Sequence, residues 1–291
     1  MDFNANNELV SVVIATLGSQ DLGNTISSLR NGTLPPKEIL ICIPEREAEN
    51  VKNLQSDDVR VVVTACRGQV AQRVEGFKQV NYDFVLQLDD DIIVSDNLVE
   101  NVVNVLKRRA EKAVAAPGYF DLKSGNSLHK KPRMGALYRT YLLLINGKKD
   151  YMEGSVTKAG LNIGVDTTLI NQDVMEVEWV PGGCLMHRKE NLIVENYFPF
   201  TGKAYCEDLI QSYLLHSKGI KLLISREAQC WTQLDSNYQS LSMLLQQKID
   251  ELRKRKYFVR LSGGSLARMY VFFSLNLAYS AVKHLNKYYK K

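Results

Sequence analysis

Over its first 120 residues the chain alternates short, β-branched apolar runs with stretches whose apolar positions recur every three or four residues. The runs are LVSVVIA (9–15), EILICI (38–43), VRVVV (59–63), DFVLQL (83–88) and AVAAP (113–117), and the periodic stretches include DLGNTISSLR and QVAQRVEGFKQV. This rhythm predicts an α/β fold, a mixed and mostly parallel sheet flanked by helices. Ligands of such sheets bind beyond the carboxyl ends of the strands, so Thr16, Pro44, Thr64, Asp89 and Pro117 mark where chemistry should be sought. From 119 to 178 the pattern loosens into Gly, Lys and Asn punctuation, which predicts long loops over one face. Order returns in VEWVPGGCLMHR, where Gly182 and Gly183 are expected just after an apolar strand. It continues in a helix that starts near Glu207 and closes at Lys218 and Gly219, and in the strand IKLLIS. After Leu241 the period is helical, broken at Gly263 and Gly264 and resumed in the uncharged run MYVFFSLNLAYSAV (269–282). As a helix that run is about 21 Å long, too short for a bilayer core of about 30 Å. It is expected either to lie in a membrane interface or to pack on the domain.

Composition narrows this picture. With 291 residues, 45% hydrophobic and 24% charged, the chain is neither disordered nor collagen-like, and a chain of this size hides roughly 75% of its unfolded surface without needing disulfides. The expectation is a catalytic domain over 1–240 and a basic helical extension over 241–291. Five cysteines, odd in number and without zinc-type spacing, read as reduced thiols. MDFNANNELV shows no secretory signal, so a cytoplasmic location is expected, with a peripheral position on the inner face of the membrane as its extension. The net charge of +5 is unevenly spread: residues 248–291 hold eleven Lys and Arg against two acids, which leaves −4 on the rest. That tail calls for an anionic partner. A membrane surface is favoured over nucleic acid, because the basic residues do not interleave with aromatics on a recognised binding module.

Three features carry candidate chemistry. Asp89, Asp90 and Asp91 follow a strand directly, and three adjacent carboxylates suit either a hard divalent cation with a diphosphate or a solvated turn that caps the next helix. Glu207 and Asp208 open a helix, where they serve either as a general base for a hydroxyl or as ordinary acids at a helix N-terminus. Gly182 and Gly183 either admit a ligand to the backbone or form a tight turn or bulge. Neither a Rossmann glycine fingerprint nor a P-loop occurs.

With SVVIATLG, QLDDD, WVPGGCLMHR and CEDLIQSYLLHSKGIKL in this order, the sequence resembles the family 2 glycosyltransferases of the GT-A fold over about residues 8 to 235. The resemblance implies inverting transfer of one sugar from a nucleotide diphosphate sugar, most readily a UDP-sugar, to an acceptor hydroxyl. It implies that Asp208 is the catalytic base, and that Asp91 with Asp89 binds Mn²⁺ or Mg²⁺. It further implies that Thr16, Glu45, Arg67, Gln72, Arg73, Asp89 and Asp90 surround the donor, and that Trp179, Gly182, Gly183 and Glu207 line the sugar and acceptor pocket. Likeness to bacterial surface-polysaccharide enzymes implies a glycan or polyprenyl-linked saccharide acceptor. Two departures stand out: the second strand ends ICIPERE rather than in an Asp-rich turn, and EAQCWTQLD lacks the metal-binding His many relatives supply. The alternatives are a sugar-1-phosphate nucleotidyltransferase, for which ATLGSQDLG is a poor substitute for the usual Gly-rich loop, and a nucleotide-sugar or glycan-binding module without catalysis.

Overall fold

The structure, a computed structural model, describes residues 8–20, 22–109, 112–233 and 241–289. Asp21, Leu234, Asp235, the boundary expected at residue 240, and Lys290 and Lys291 lie outside them. The chain divides into two compact units, Met1–Lys130 with Val165–Leu234, and Lys131–Gly164 with Asp235–Lys291. Residues 131–164 thus belong with the C-terminal segment.

The first unit is built on one sheet. Its strands are β1 (Val10–Ala15), β2 (Glu38–Pro44), β3 (Val59–Thr64), β4 (Phe84–Asp89), β5 (Ile93–Val94), β6 (Ala113–Asp121), β7 (Val174–Val177), β8 (Cys184–Arg188) and β9 (Lys221–Thr232). Among the described residues they run in the order β3-β2-β1-β4-β8-β6-β9-β5, with β7 on β9. β3, β2, β1 and β4 are parallel, whereas β8 enters antiparallel between β4 and β6. All six residues of β1 are buried, as expected of a strand covered on both faces. The helices of this unit are α1 (Leu22–Arg30), α2 (Gln69–Phe77), α3 (Leu98–Lys107) and α5 (Glu207–Ser217). α2 lies so close to the sheet that a Cβ on Gly76 would stand 2.5 Å from Cys42 Sγ and 2.6 Å from Val13 Cγ1.

Register builds the functional edge. Ala15 pairs with Cys42 on β2 and with Asp89 on β4, so the carboxyl ends of three parallel strands finish together. Because β8 runs the other way, its start meets the end of β4: Leu88 faces Cys184, and the Asp89 amide donates to the Gly183 carbonyl at 2.7 Å.

The second unit is helical: α4 (Ala136–Asn146), α6 (Leu241–Leu261) and α7 (Leu266–Tyr289). Leu142 and Ile145 of α4 pack with Ala159, Ile163 and Phe272 of α7. α4 lies within the stretch expected to be loops. The glycine pair precedes β8 rather than following an apolar strand, and β9 has 12 residues, longer than IKLLIS alone. The run 269–282 belongs to a 24-residue helix, and none of the described helices is long and apolar enough to cross a membrane. All five cysteines are thiols rather than disulfides.

One buried group makes stability pH-dependent. His187 of β8 is fully buried, neither ring nitrogen has a hydrogen-bond partner, and burial, helped by the Arg73 charge, holds its pKa down to about 3. The unfolded chain therefore binds a proton below about pH 6.5 that the folded chain refuses, so stability is present above that value and lost as pH falls. The loss from this group should be about 1.4 kcal/mol per pH unit between about pH 6 and pH 4. Urea denaturation at stepped pH should show this slope, and His187→Leu should flatten it; an unchanged slope in the variant assigns the pH dependence to other groups.

Candidate active site

A cleft of about 320 Å³ opens where the end of β4 meets the turn before β8, with Tyr119 of β6 and Thr232 of β9 in its lining. Asp89 and Asp91 line it, as do Glu207 and Asp208, and Gly183 beside Asp89 and Gly182 beside Glu207 span the two sides. Each acidic pair comes from a separate end of the fold: the exit of β4 and the first turn of α5. The residue before α5, Cys206, has φ of 61°, a left-handed conformation that costs a non-glycine residue energy and recurs at functional sites. It sets the direction in which Glu207 and Asp208 leave the chain.

Arg73, 2% exposed, joins the two sides from beneath. Its Nη2 donates to Asp89 Oδ1 at 2.5 Å and its Nη1 to Glu207 Oε1 at 2.7 Å. Burial draws the guanidinium pKa down, but Glu207 and Asp89 more than reverse this, and Arg73 stays charged with its pKa above the ordinary value. Gln69 Nε2 also donates to Asp89 Oδ1, at 2.8 Å, and the Tyr197 hydroxyl donates to Glu207 Oε1, at 2.8 Å. Burial and the Glu207 charge hold the Tyr197 hydroxyl protonated, well above its usual pKa.

The glycines are a steric requirement of this arrangement. A Cβ on Gly182 would lie 2.8 Å from Glu207 Oε2, and one on Gly183 would lie 2.9 Å from Asp89 Oδ2. Gln87 beneath them donates to the Gly182 carbonyl and accepts from Gln211 Nε2 at 2.8 Å. The turn is thus tied to both β4 and α5.

The aspartate run is divided in its contacts. Thr16 Oγ1 donates to Asp90 Oδ2 at 2.5 Å, and Thr232 Oγ1 donates to Asp91 Oδ2 at 3.0 Å. Burial pushes the Asp90 carboxyl above its usual range, Thr16 opposes the rise, and the neighbouring Asp89 and Asp91 add to it. This local surplus of negative charge suits a cation. Among the described residues no group of three or more His, Cys, Asp or Glu is placed to hold a metal unaided. Two carboxylates on one cleft, Asp89 and Asp91, suit an ion such as Mg²⁺ or Mn²⁺, which uses one or two carboxylates and completes its shell with water and substrate phosphate.

The remaining residues named from sequence sit as follows. Gln72, 2% exposed, donates from Nε2 to the carbonyls of Thr16 and Cys42, both at 2.8 Å, and so ties the ends of β1 and β2. Glu45 is exposed, and Arg67 pairs with Glu47 at 3.2 Å. Arg67 lines a neighbouring hollow of about 270 Å³ that shares Gln69 and Ala204 with the cleft. Trp179 is buried at 3% exposure with its ring edge-on to His129 at 5.7 Å. None of these last three lines the cleft itself, and neither do Thr16, Gln72, Arg73 and Asp90. Sequence reading missed Gln69, Tyr119, Tyr197 and Thr232. Of these, Gln69 carries a signal: residues 69, 72, 73 and 76 share one helical face, and polar groups on the face that meets the sheet must have buried partners.

The sheet and its cleft agree with the comparisons to known proteins. The model of glycosyl transferase family 2 matches residues 11–164, and the chain belongs to that family. Among solved structures, GalNAc-T7 crystallised with UDP, GalNAc and Mn²⁺ is similar at a TM-score of 0.55 and 16% identity, over 94% of this chain and 55% of that one. TarS of S. aureus in complex with UDP-GlcNAc is similar at 0.51 and 13% identity, over 86% of this chain and 65% of that one. The fold is thus that of the GT-A glycosyltransferases, and the chain spans less than two thirds of either structure. No curated protein sequence matches it significantly.

Replacing Arg73 tests the link between the two sides. Arg73→Met leaves two carboxylates facing a buried apolar stem, and the unfolding free energy should fall by about 3–5 kcal/mol, with part recovered by adding Glu207→Gln. Denaturant titrations of the single and double variants measure both numbers; equal loss in the two would show that Glu207 does not depend on Arg73.

Proposed function

We propose that the protein is an inverting, metal-dependent glycosyltransferase that moves one sugar from a nucleotide diphosphate sugar, a UDP-sugar in the first instance, to an acceptor hydroxyl. The observation that carries this reading is that Asp89, Asp91 and Asp208, from distant parts of the chain, line a single cleft. The UDP-bound states of GalNAc-T7 and TarS support the choice of nucleotide.

In this reading Asp91, with Asp89, holds Mn²⁺ or Mg²⁺, whose charge stabilises the diphosphate as it leaves. Thr16 and Asp90 bound the donor side. Asp208 takes the proton from the attacking hydroxyl, which enters from the face opposite the leaving diphosphate, so the anomeric configuration inverts. Glu207, whose Oε1 accepts from both Arg73 and Tyr197, positions Asp208 by anchoring the first turn of α5. Gly182 and Gly183 leave the floor free of side chains where the sugar passes. The acceptor is a glycan or a polyprenyl-linked saccharide, and the basic segment 248–291 brings the protein to an anionic membrane surface.

Asp208→Asn should lower turnover of the donor by about 10²- to 10⁴-fold while the chain folds normally and binds the donor as before. Nucleotide release in the presence of candidate acceptors reads the first effect and calorimetry the second. Normal turnover in a folded Asp208→Asn protein would remove Asp208 from the role of base.

A further inference from the structure

The helical unit carries an inverted surface. In α4 the face opposite the buried Leu142 and Ile145 shows Leu137, 88% exposed, and Leu144, 46% exposed, with Leu143 beside them. A surface helix ordinarily turns charged and polar residues outward there. In α7, Met269 and Phe272 are buried while Tyr270, Val271, Leu275 and Tyr279 are exposed along one stripe, with only Ser274 and Ala278 between them. Arg268 Nη1, at the start of α7, donates to the carbonyls of Leu143 and Leu144 at 2.8 and 2.7 Å. The end of the α4 apolar face therefore adjoins the beginning of the α7 stripe.

Charge identifies what can cover this surface. Residues 131–164 and 235–291 together hold 17 Lys and Arg against five Asp and Glu, a net +12, whereas the sheet unit carries −7. Arg133, Arg139, Lys148 and Lys149, which flank or lie on α4, are all exposed. Apolar side chains ringed by cations suit a bilayer of anionic lipid, in which the leucines and tyrosines enter the headgroup region and the cations meet phosphate. Two copies of a unit with a net charge of +12 would repel each other.

We infer that α4 and α7 together form an interfacial membrane anchor, so that the segment inserted at 131–164, and not the C-terminal tail alone, enters an anionic bilayer surface. This rests on the membrane contact proposed above for 248–291 and adds a second element to it. Because Met269 and Phe272 belong to the interior of the unit, substitution on the exposed faces is a cleaner probe than truncation.

The test is co-sedimentation of the full chain with vesicles of equal parts phosphatidylglycerol and phosphatidylethanolamine, against vesicles of phosphatidylcholine alone. The unmodified protein should sediment with the anionic vesicles only. Leu137→Glu/Leu144→Glu should weaken its partitioning about tenfold or more, with an unchanged circular dichroism spectrum and unfolding midpoint. Leu137→Ser/Leu144→Ser, with a smaller loss, serves if the glutamates disturb folding. Partitioning that survives both α4 variants but is lost in Tyr270→Glu/Leu275→Glu would overturn the inference and leave the tail contact standing. Failure of the unmodified protein to bind anionic vesicles would overturn both. A lipid-free dimer that the α4 variants dissociate in sedimentation velocity would assign the face to self-association and overturn the inference as well.

Discussion

A single buried cation, Arg73, lets the acidic edges of this protein stand on either side of one cleft. Asp89 and Glu207 come from segments more than a hundred residues apart, and each alone would be a costly carboxylate in a poorly hydrated place. The guanidinium between them offsets one of the two negative charges and binds both carboxylates through the fixed fork of its donors. It also fixes distances: α2, the exit of β4 and the first turn of α5 are held in one frame, and Asp91 and Asp208 inherit their positions from it. The parallel register that brings Ala15, Cys42 and Asp89 level makes room for this cation, and the two glycines keep the space above it clear.

The division of labour among the carboxylates follows. Asp89 and Glu207 give one oxygen each to Arg73, and Asp90 is held by Thr16 and carries an elevated pKa. Asp91 and Asp208 line the same cleft as Asp89 and Glu207, and Asp91 accepts from Thr232.

Much of this was legible in the sequence, and for identifiable reasons. β1, β2 and β4 are buried nearly throughout, so their apolar runs are close to continuous and their boundaries fall close to the expected ones. The aspartate run and Glu207–Asp208 stand out because adjacent acids are costly without a purpose. The role of Arg73 was hidden because a basic residue in a helix is usually solvent-facing; only its spacing with Gln69, Gln72 and Gly76 betrays the inner face. α4 escaped notice for the opposite reason. Its leucines lie on both the inner and outer faces, which erases the amphipathic period, and that erasure is the surface feature from which the anchor is inferred. Thr232 has no sequence signal, since a threonine ending a strand is ordinary.

The central claim is that the aspartate edge binds a nucleoside diphosphate through a divalent ion. Calorimetric titration of UDP into the protein with Mn²⁺, repeated with EDTA and with Asp91→Ala, tests it most directly. The account predicts saturable binding with Mn²⁺ that is lost in EDTA and lost in the variant. Binding of UDP that is indifferent to both the metal and Asp91 would contradict it.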